Sequence, residues 1–129
     1  MKIFSALLVV TLSHSVYASE LLQGYECKNS DDAMQCNSSC SRANYKLEFK
    51  VNERTNQVIR FSYVDKKFIQ SVSFKNCSVI DKTNWLCENA DDLTISTVVM
   101  RNGQYSHTSI VTAKYKNAGL DLGKNFCAK

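Results

Sequence analysis

The 129-residue chain has no proline, only four glycines, one tryptophan and two histidines. With no proline, no position is forced to drop out of a hydrogen-bonded ladder, because each proline would delete a backbone donor. Long apolar runs are missing as well. A bilayer-spanning helix needs about 20 consecutive apolar residues, and no segment reaches that, so no membrane span is expected. There is no Gly-x-Ser-x-Gly turn to expose a nucleophile and no Cys-x-x-Cys redox pair. Charge of one sign is not dominant either: 16 basic residues face 12 acidic ones, a formal +4. That excess is spread along the chain and is too small for counterion-driven nucleic-acid binding, so no nucleic-acid partner is expected.

The amino terminus is built differently from the rest. Met1 and Lys2 make a short positive start, and Ile3 to Leu12 is an apolar stretch of about ten residues. Ser13, His14 and Ser15 end that stretch, and Val16-Tyr17-Ala18 puts small residues at both positions that a signal peptidase reads. Residues 1–18 are therefore expected to be a cleaved signal peptide, and residues 19–129 one exported domain, periplasmic or secreted. Loss of Lys2 lowers the net charge by one and loss of His14 leaves His107 as the only histidine.

All six cysteines lie beyond the leader: Cys27, Cys36, Cys40, Cys77, Cys87 and Cys127. An even number in a short exported chain reads as a disulfide framework. Cys77 and Cys87 flank a polar turn around Asp81-Lys82-Thr83. A three-residue turn there would pair Ile80 with Asn84 and set the two cysteines opposite one another, so they are expected to be bonded. The pairing of Cys27, Cys36, Cys40 and Cys127 stays open, beyond tying the amino-terminal segment to itself and to the tail.

From Tyr45 onward the pattern is one strand after another. Tyr45, Leu47, Phe49 and Val51 alternate with charged neighbours, and Ile59, Phe61 and Tyr63 alternate with Arg60 and Ser62. Phe68, Val72 and Phe74 continue the period of two. Asn102-Gly103 between two β-rich runs, 93–101 and 104–116, is a strong hairpin signal, because a type I′ turn needs positive φ twice. Six or seven strands with such short connections predict an all-β antiparallel meander, curled into a small disulfide-stapled barrel or sandwich. Before Tyr45, the stretch from Asp31 to Cys40 has few β-branched residues and reads as a short helical turn or ordered loop. The tail around 119–123 reads as irregular.

Candidate chemistry is sparse. His107 beside Ser106 and Ser109 offers two members of a Ser-His-Asp relay, but nothing exposes a nucleophile, and the expected place for His107 is a strand position opposite Val98. Met34, Cys36 and Cys40 form a soft-metal set on paper, yet an oxidising compartment turns those thiols into disulfides first. Asp31-Asp32 and Asp91-Asp92 read as solvated loops and caps. Trp85 is expected to pack near the Cys77–Cys87 pair, with an interface anchor as the alternative. No catalytic, cofactor-binding or metal residue is assigned, and Trp85 and His107 are the candidate interface residues.

The segments Phe49-Lys50-Val51-Asn52, Asn76-Cys77-Ser78-Val79-Ile80-Asp81 and Asn84-Trp85-Leu86-Cys87 resemble small periplasmic proteins of Gram-negative bacteria, a resemblance that implies a compartment and no activity. In architecture the chain is similar to periplasmic lysozyme inhibitors, although their inhibitory loop motif is not recognisable here. The expectation is a monomeric, non-enzymatic, cofactor-free module that binds a protein, such as an inhibitor of an envelope-attacking hydrolase. The alternatives are a structural envelope protein or a small secreted hydrolase.

Overall fold

The computed structural model describes residues 21–90, 94–111 and 125–129. The expected leader, the Asp91-Asp92 pair, Leu93 and the stretch 112–124 lie outside the described residues. The elements are β1 (Leu22–Glu26), α1 (Ser30–Gln35), β2 (Ser41–Asn52), β3 (Gln57–Val64), β4 (Lys67–Phe74), β5 (Cys77–Asp81), β6 (Asn84–Ala90), β7 (Thr94–Arg101), β8 (Gln104–Val111) and β9 (Asn125–Ala128). The strands form one antiparallel sheet in the order β4-β3-β2-β1-β9-β8-β7-β6-β5, curled into a half-barrel.

The expected all-β fold is present, but its topology is richer than a single meander. Two four-stranded meanders, β1–β4 and β5–β8, face one another, and β9 joins them by pairing with β1 on one side and β8 on the other. Residues Asn125–Ala128 are thus a central strand, while the tail expected to be irregular, around 119–123, lies outside the described residues. The Asn102-Gly103 turn forms as expected, with φ of 53° and 81° and Met100 opposite Tyr105. Asp65 and Lys66, with φ of 51° and 65°, make a second turn of the same hand without any glycine.

Cys77 and Cys87 are directly opposed and bonded, though by a different route from the one expected. The turn has two residues, Lys82 and Thr83, with Asp81 opposite Asn84. A bulge at Ile80 absorbs the difference and pushes that side chain out to 80% exposure. Asp81 closes the turn itself, its carboxylate accepting from the Thr83 amide, the Thr83 hydroxyl and the Asn84 side chain. These bonds, the Thr83 amide first, hold the Asp81 carboxyl below its ordinary range.

The other cysteines pair as Cys27–Cys40 and Cys36–Cys127. Together they fasten α1 to the outer face of β9, where Cys36, Cys40 and Cys127 form a small second core against Tyr25. The helix begins at Asn29, whose side chain accepts from the Asp32 amide; the expected carboxylate cap is displaced by this neighbour. The main core lies inside the curl, built from Leu47, Val58, Trp85, Val98, Met100 and Tyr105 with their neighbours.

One inward face is the reverse of what alternation predicts. On β3 the more apolar set, Ile59, Phe61 and Tyr63, points outward, while Val58, Arg60, Ser62 and Val64 point into the curl. The outward rings gain a partner through a second bulge, at Ile69, which turns Phe68 to the outer face while Val72 and Phe74 stay inside. There Phe68 packs at 6.2 Å from Phe61 and 6.0 Å from Tyr63. The expected grouping of Phe68 with Val72 and Phe74 on one face is therefore corrected.

Candidate functional site

The two meanders touch at one end of the half-barrel and part toward the other. At the closed end the amide of Val79 on β5 donates to the side chain of Asn56, which leads into β3, at 3.0 Å. The segment between β4 and β5 is clasped to β6, with Lys75 N–H donating to Asn89 and Asn76 exchanging bonds with the backbone of Glu88. Behind this clasp a run of rings fills the space: Phe49 lies 5.4 Å from Trp85, and Phe74 and Tyr105 each lie 6.2 Å from it.

Toward the parted end the inward side chains leave a trough of about 260 Å³. Arg60 and the fully buried Tyr105 lie at its deep end, Tyr45, Leu47, Ser62 and Phe126 along its walls, and Val64, Ile69 and Gln70 toward the lip. Ile69 is 57% exposed, which marks the lip as the way in. Among the described residues, no aspartate or glutamate lines the trough.

Arg60 is the centre of the site. One terminal nitrogen, Nη1, donates to the Tyr105 hydroxyl at 3.0 Å and lies 3.4 Å from Nδ1 of His107. The Tyr105 hydroxyl is 3.2 Å from the same Nδ1. The guanidinium carbon sits 5.6 Å from the centre of the Phe74 ring, a cation–π contact that braces it against the closed end. Its Nε–H finds no acceptor among the described residues.

This environment sets the neighbouring protonation states. Burial, reinforced by the Arg60 charge, pushes His107 down to about 4. The imidazole is then neutral near pH 7, and Nδ1 accepts from the groups around it. Burial raises the Tyr105 hydroxyl to about 12 even though Arg60 pulls the other way. Tyr45 rises to about 12, mainly through burial. Neither phenol ionises near neutrality, so the described residues of the trough offer one fixed positive charge, hydroxyl and amide groups, and apolar walls.

Tyr45 is held in place from two sides. Its ring lies directly over Gly24, where a β-carbon would collide with it, and its hydroxyl donates to the Tyr25 carbonyl at 3.3 Å. The β1–β2 pairing shifts register between Gln23 and Tyr25. Gln23 fills that irregularity, its side-chain amide donating to the Ala43 carbonyl at 2.7 Å and lying close to those of Gly24 and Tyr45.

The residues singled out from sequence fall in three places. His107 sits opposite Val98, as expected, but its ring joins the Arg60–Tyr105 group and stands edge-on to Phe126 at 5.5 Å. Trp85 is 3% exposed and packed among the closed-end rings, so it presents no surface. Cys27, Cys40 and Cys127 are the one cluster of metal-type ligands among the described residues, with sulfurs within 4.8 Å of each other, and all three are in disulfides. Sequence reasoning missed Arg60 and Tyr105. The available signal was that Arg60 shares its face with Val58 and Val64.

A wider hollow of about 510 Å³ lies at the β1–β2 irregularity, with Arg42, Lys46 and Lys66 around it and Asp65 among them. No helix among the described residues is long and apolar enough to cross a membrane, and three disulfides fit an oxidising compartment. No protein-family model, curated protein or solved structure matches the chain.

Proposed function

We propose that the protein is an exported binding module, mature from Ser19, whose half-barrel grips an anionic group at Arg60. The observation that carries this is a guanidinium set deep in an apolar trough, braced by Phe74 and Tyr105, with no carboxylate among the described residues of the lining. An arginine taken out of water is ordinarily paired. Its fork of donors suits a carboxylate or phosphate. Binding fits this set better than catalysis: the imidazole is engaged through Nδ1, and both phenols hold their protons at neutral pH.

A second reading keeps the anionic group on a partner protein, as in an inhibitor of an envelope-attacking hydrolase. It is favoured by the aromatic cluster of Phe61, Tyr63 and Phe68 on the outer face, which gives such a partner apolar area to cover.

The test is native mass spectrometry of oxidised mature protein recovered from its own compartment, beside an Arg60→Met variant. An acidic small molecule or a captured hydrolase present with wild type and lost from Arg60→Met supports the reading and tells the two forms apart. The same bound species on both proteins would refute a role for Arg60. Intact mass also reports the amino terminus, expected at Ser19.

A further inference from the structure

We infer that the trough takes a small amphipathic monocarboxylate, entering head first, with its carboxylate at Arg60 and its apolar tail lying along the walls toward the lip. This rests on the reading of Arg60 as an anion site and specifies what carries the anion.

The first ground is the order of chemistry along β3. Arg60, Ser62 and Val64 all face inward, so the lining runs from a cation through a hydroxyl to an aliphatic side chain as the trough opens. The neighbours repeat the gradient. Arg60 is bonded to the fully buried Tyr105, whereas Val64 is joined at the lip by Ile69, which is largely exposed. The polar head is thus deepest and the apolar part outermost. A compact inorganic anion would leave the walls of Leu47, Tyr45 and Phe126 without a partner.

Length and shape give the second ground. The four residue steps of strand from Arg60 to Val64 span roughly 13 Å, the scale of an extended medium-length alkyl chain. The trough volume of about 260 Å³ is enough for one such chain. Beyond Arg60 the space is closed by Phe74, Trp85 and Phe49, so the ligand cannot pass through. The head must stop at the Arg60 guanidinium, with the Ser62 hydroxyl next along the lining. A charge-assisted bond made there, away from bulk water, distinguishes an acid from the matching alcohol.

The experiment titrates oxidised mature protein with decanoate, acetate and decan-1-ol, each kept below the concentration at which decanoate aggregates. Calorimetry gives affinity and amide NMR shifts give location. Decanoate is expected to bind one-to-one, shifting Leu47, Ser62, Tyr105 and Phe126, at least tenfold more tightly than acetate or decan-1-ol. Arg60→Met should weaken decanoate at least tenfold and leave decan-1-ol unchanged. Val64→Trp, which fills the lip and leaves Arg60 in place, should weaken decanoate and decan-1-ol together, and it carries the test if Arg60→Met does not fold. Acetate binding as tightly as decanoate, with dependence on Arg60, would overturn the amphipathic ligand while the anion site stands. Decan-1-ol matching decanoate, or decanoate indifferent to both variants, would overturn the head-first pose. Saturable binding of neither decanoate nor acetate would overturn the inference and the anion site together.

Discussion

Acidification should destabilise this protein through His107 by an amount that can be isolated. In the folded chain the imidazole titrates at about 4, because burial and the Arg60 charge oppose the imidazolium; in the unfolded chain it returns to its ordinary value near 6.5. The unfolded state therefore binds more protons between those values, and stability rises with pH across that window. The contribution is complete above about pH 6.5 and lost as pH falls toward 4. At about 1.4 kcal/mol per pH unit the interval corresponds to about 3 kcal/mol, trimmed toward about 2 by solvent reaching the exposed part of the ring. The structural cause is specific. A proton on Nδ1 would place a second positive charge 3.4 Å from Nη1 of Arg60 and remove the acceptor facing the Tyr105 hydroxyl. Urea denaturation of wild type and His107→Gln at intervals from pH 7 to pH 4 isolates the effect, because the carboxylates titrate in both. Wild type should lose about 2–3 kcal/mol more than the variant over that range. NMR titration should find the imidazole well below 6.5, moving only part of the way back in Arg60→Met, since burial is the larger cause. Parallel stability curves for wild type and His107→Gln, or an imidazole titrating near 6.5, would refute the assignment of His107 to a desolvated site beside a cation.

Gly103→Val should cost about 1–2 kcal/mol in urea denaturation, because φ is 81° there and open space around the residue leaves backbone strain as the only cause. Lys66→Gly, at φ 65° in the glycine-free turn, should stabilise the same hand of turn by up to about 1 kcal/mol in the same assay. Gln23→Leu should lower stability by about 1–3 kcal/mol, since it strips the Ala43 carbonyl of its side-chain donor; an unchanged denaturation midpoint would mean water replaces that bond freely. Cys36 and Cys127 are 91 residues apart and Cys77 and Cys87 only 10. On the chain-entropy model the first bridge is worth about 4–5 kcal/mol and the second about 3 kcal/mol, so the double alanine variant of the longer loop should melt lower.

The parts of the fold written in local chemistry were legible in the sequence. Asn102-Gly103 specifies its turn by backbone preference alone, and β2 specifies a buried face because its own inward side chains, Tyr45, Leu47, Phe49 and Val51, are all aromatic or aliphatic. The spacing of Cys77 and Cys87 was informative for a subtler reason: turn length and bulge compensate, and the cysteines meet either way. β1 and β9 escaped notice because four or five residues carry too little period, and because their pairing depends on partners about a hundred residues away. The site was hidden at β3, where outward aromatics made Arg60 look solvent-facing. A sheet face that holds a charge for binding breaks alternation at that point. Only the clustering of Phe61 and Tyr63 with Phe68, which the Ile69 bulge brings about, compensates for the inversion.

The central position of β9 fixes an order of assembly. The hairpins within each meander join neighbours in sequence and can close as soon as their residues have emerged, on the microsecond scale typical of hairpins. Their union cannot. Until Asn125–Ala128 arrives, β1 and β8 each present an unpaired edge, and the trough has no Phe126 wall. A chain threaded amino terminus first therefore spends its synthesis as two half-sheets with facing open edges, the state most exposed to pairing with a second chain. Cys36 waits through the same interval for Cys127, while Cys40 and Cys27 lie close enough in sequence to be oxidised early. The last strand to emerge is the one that completes the sheet, the long-range bridge and the trough at once, so completion of the fold and formation of the trough are a single event.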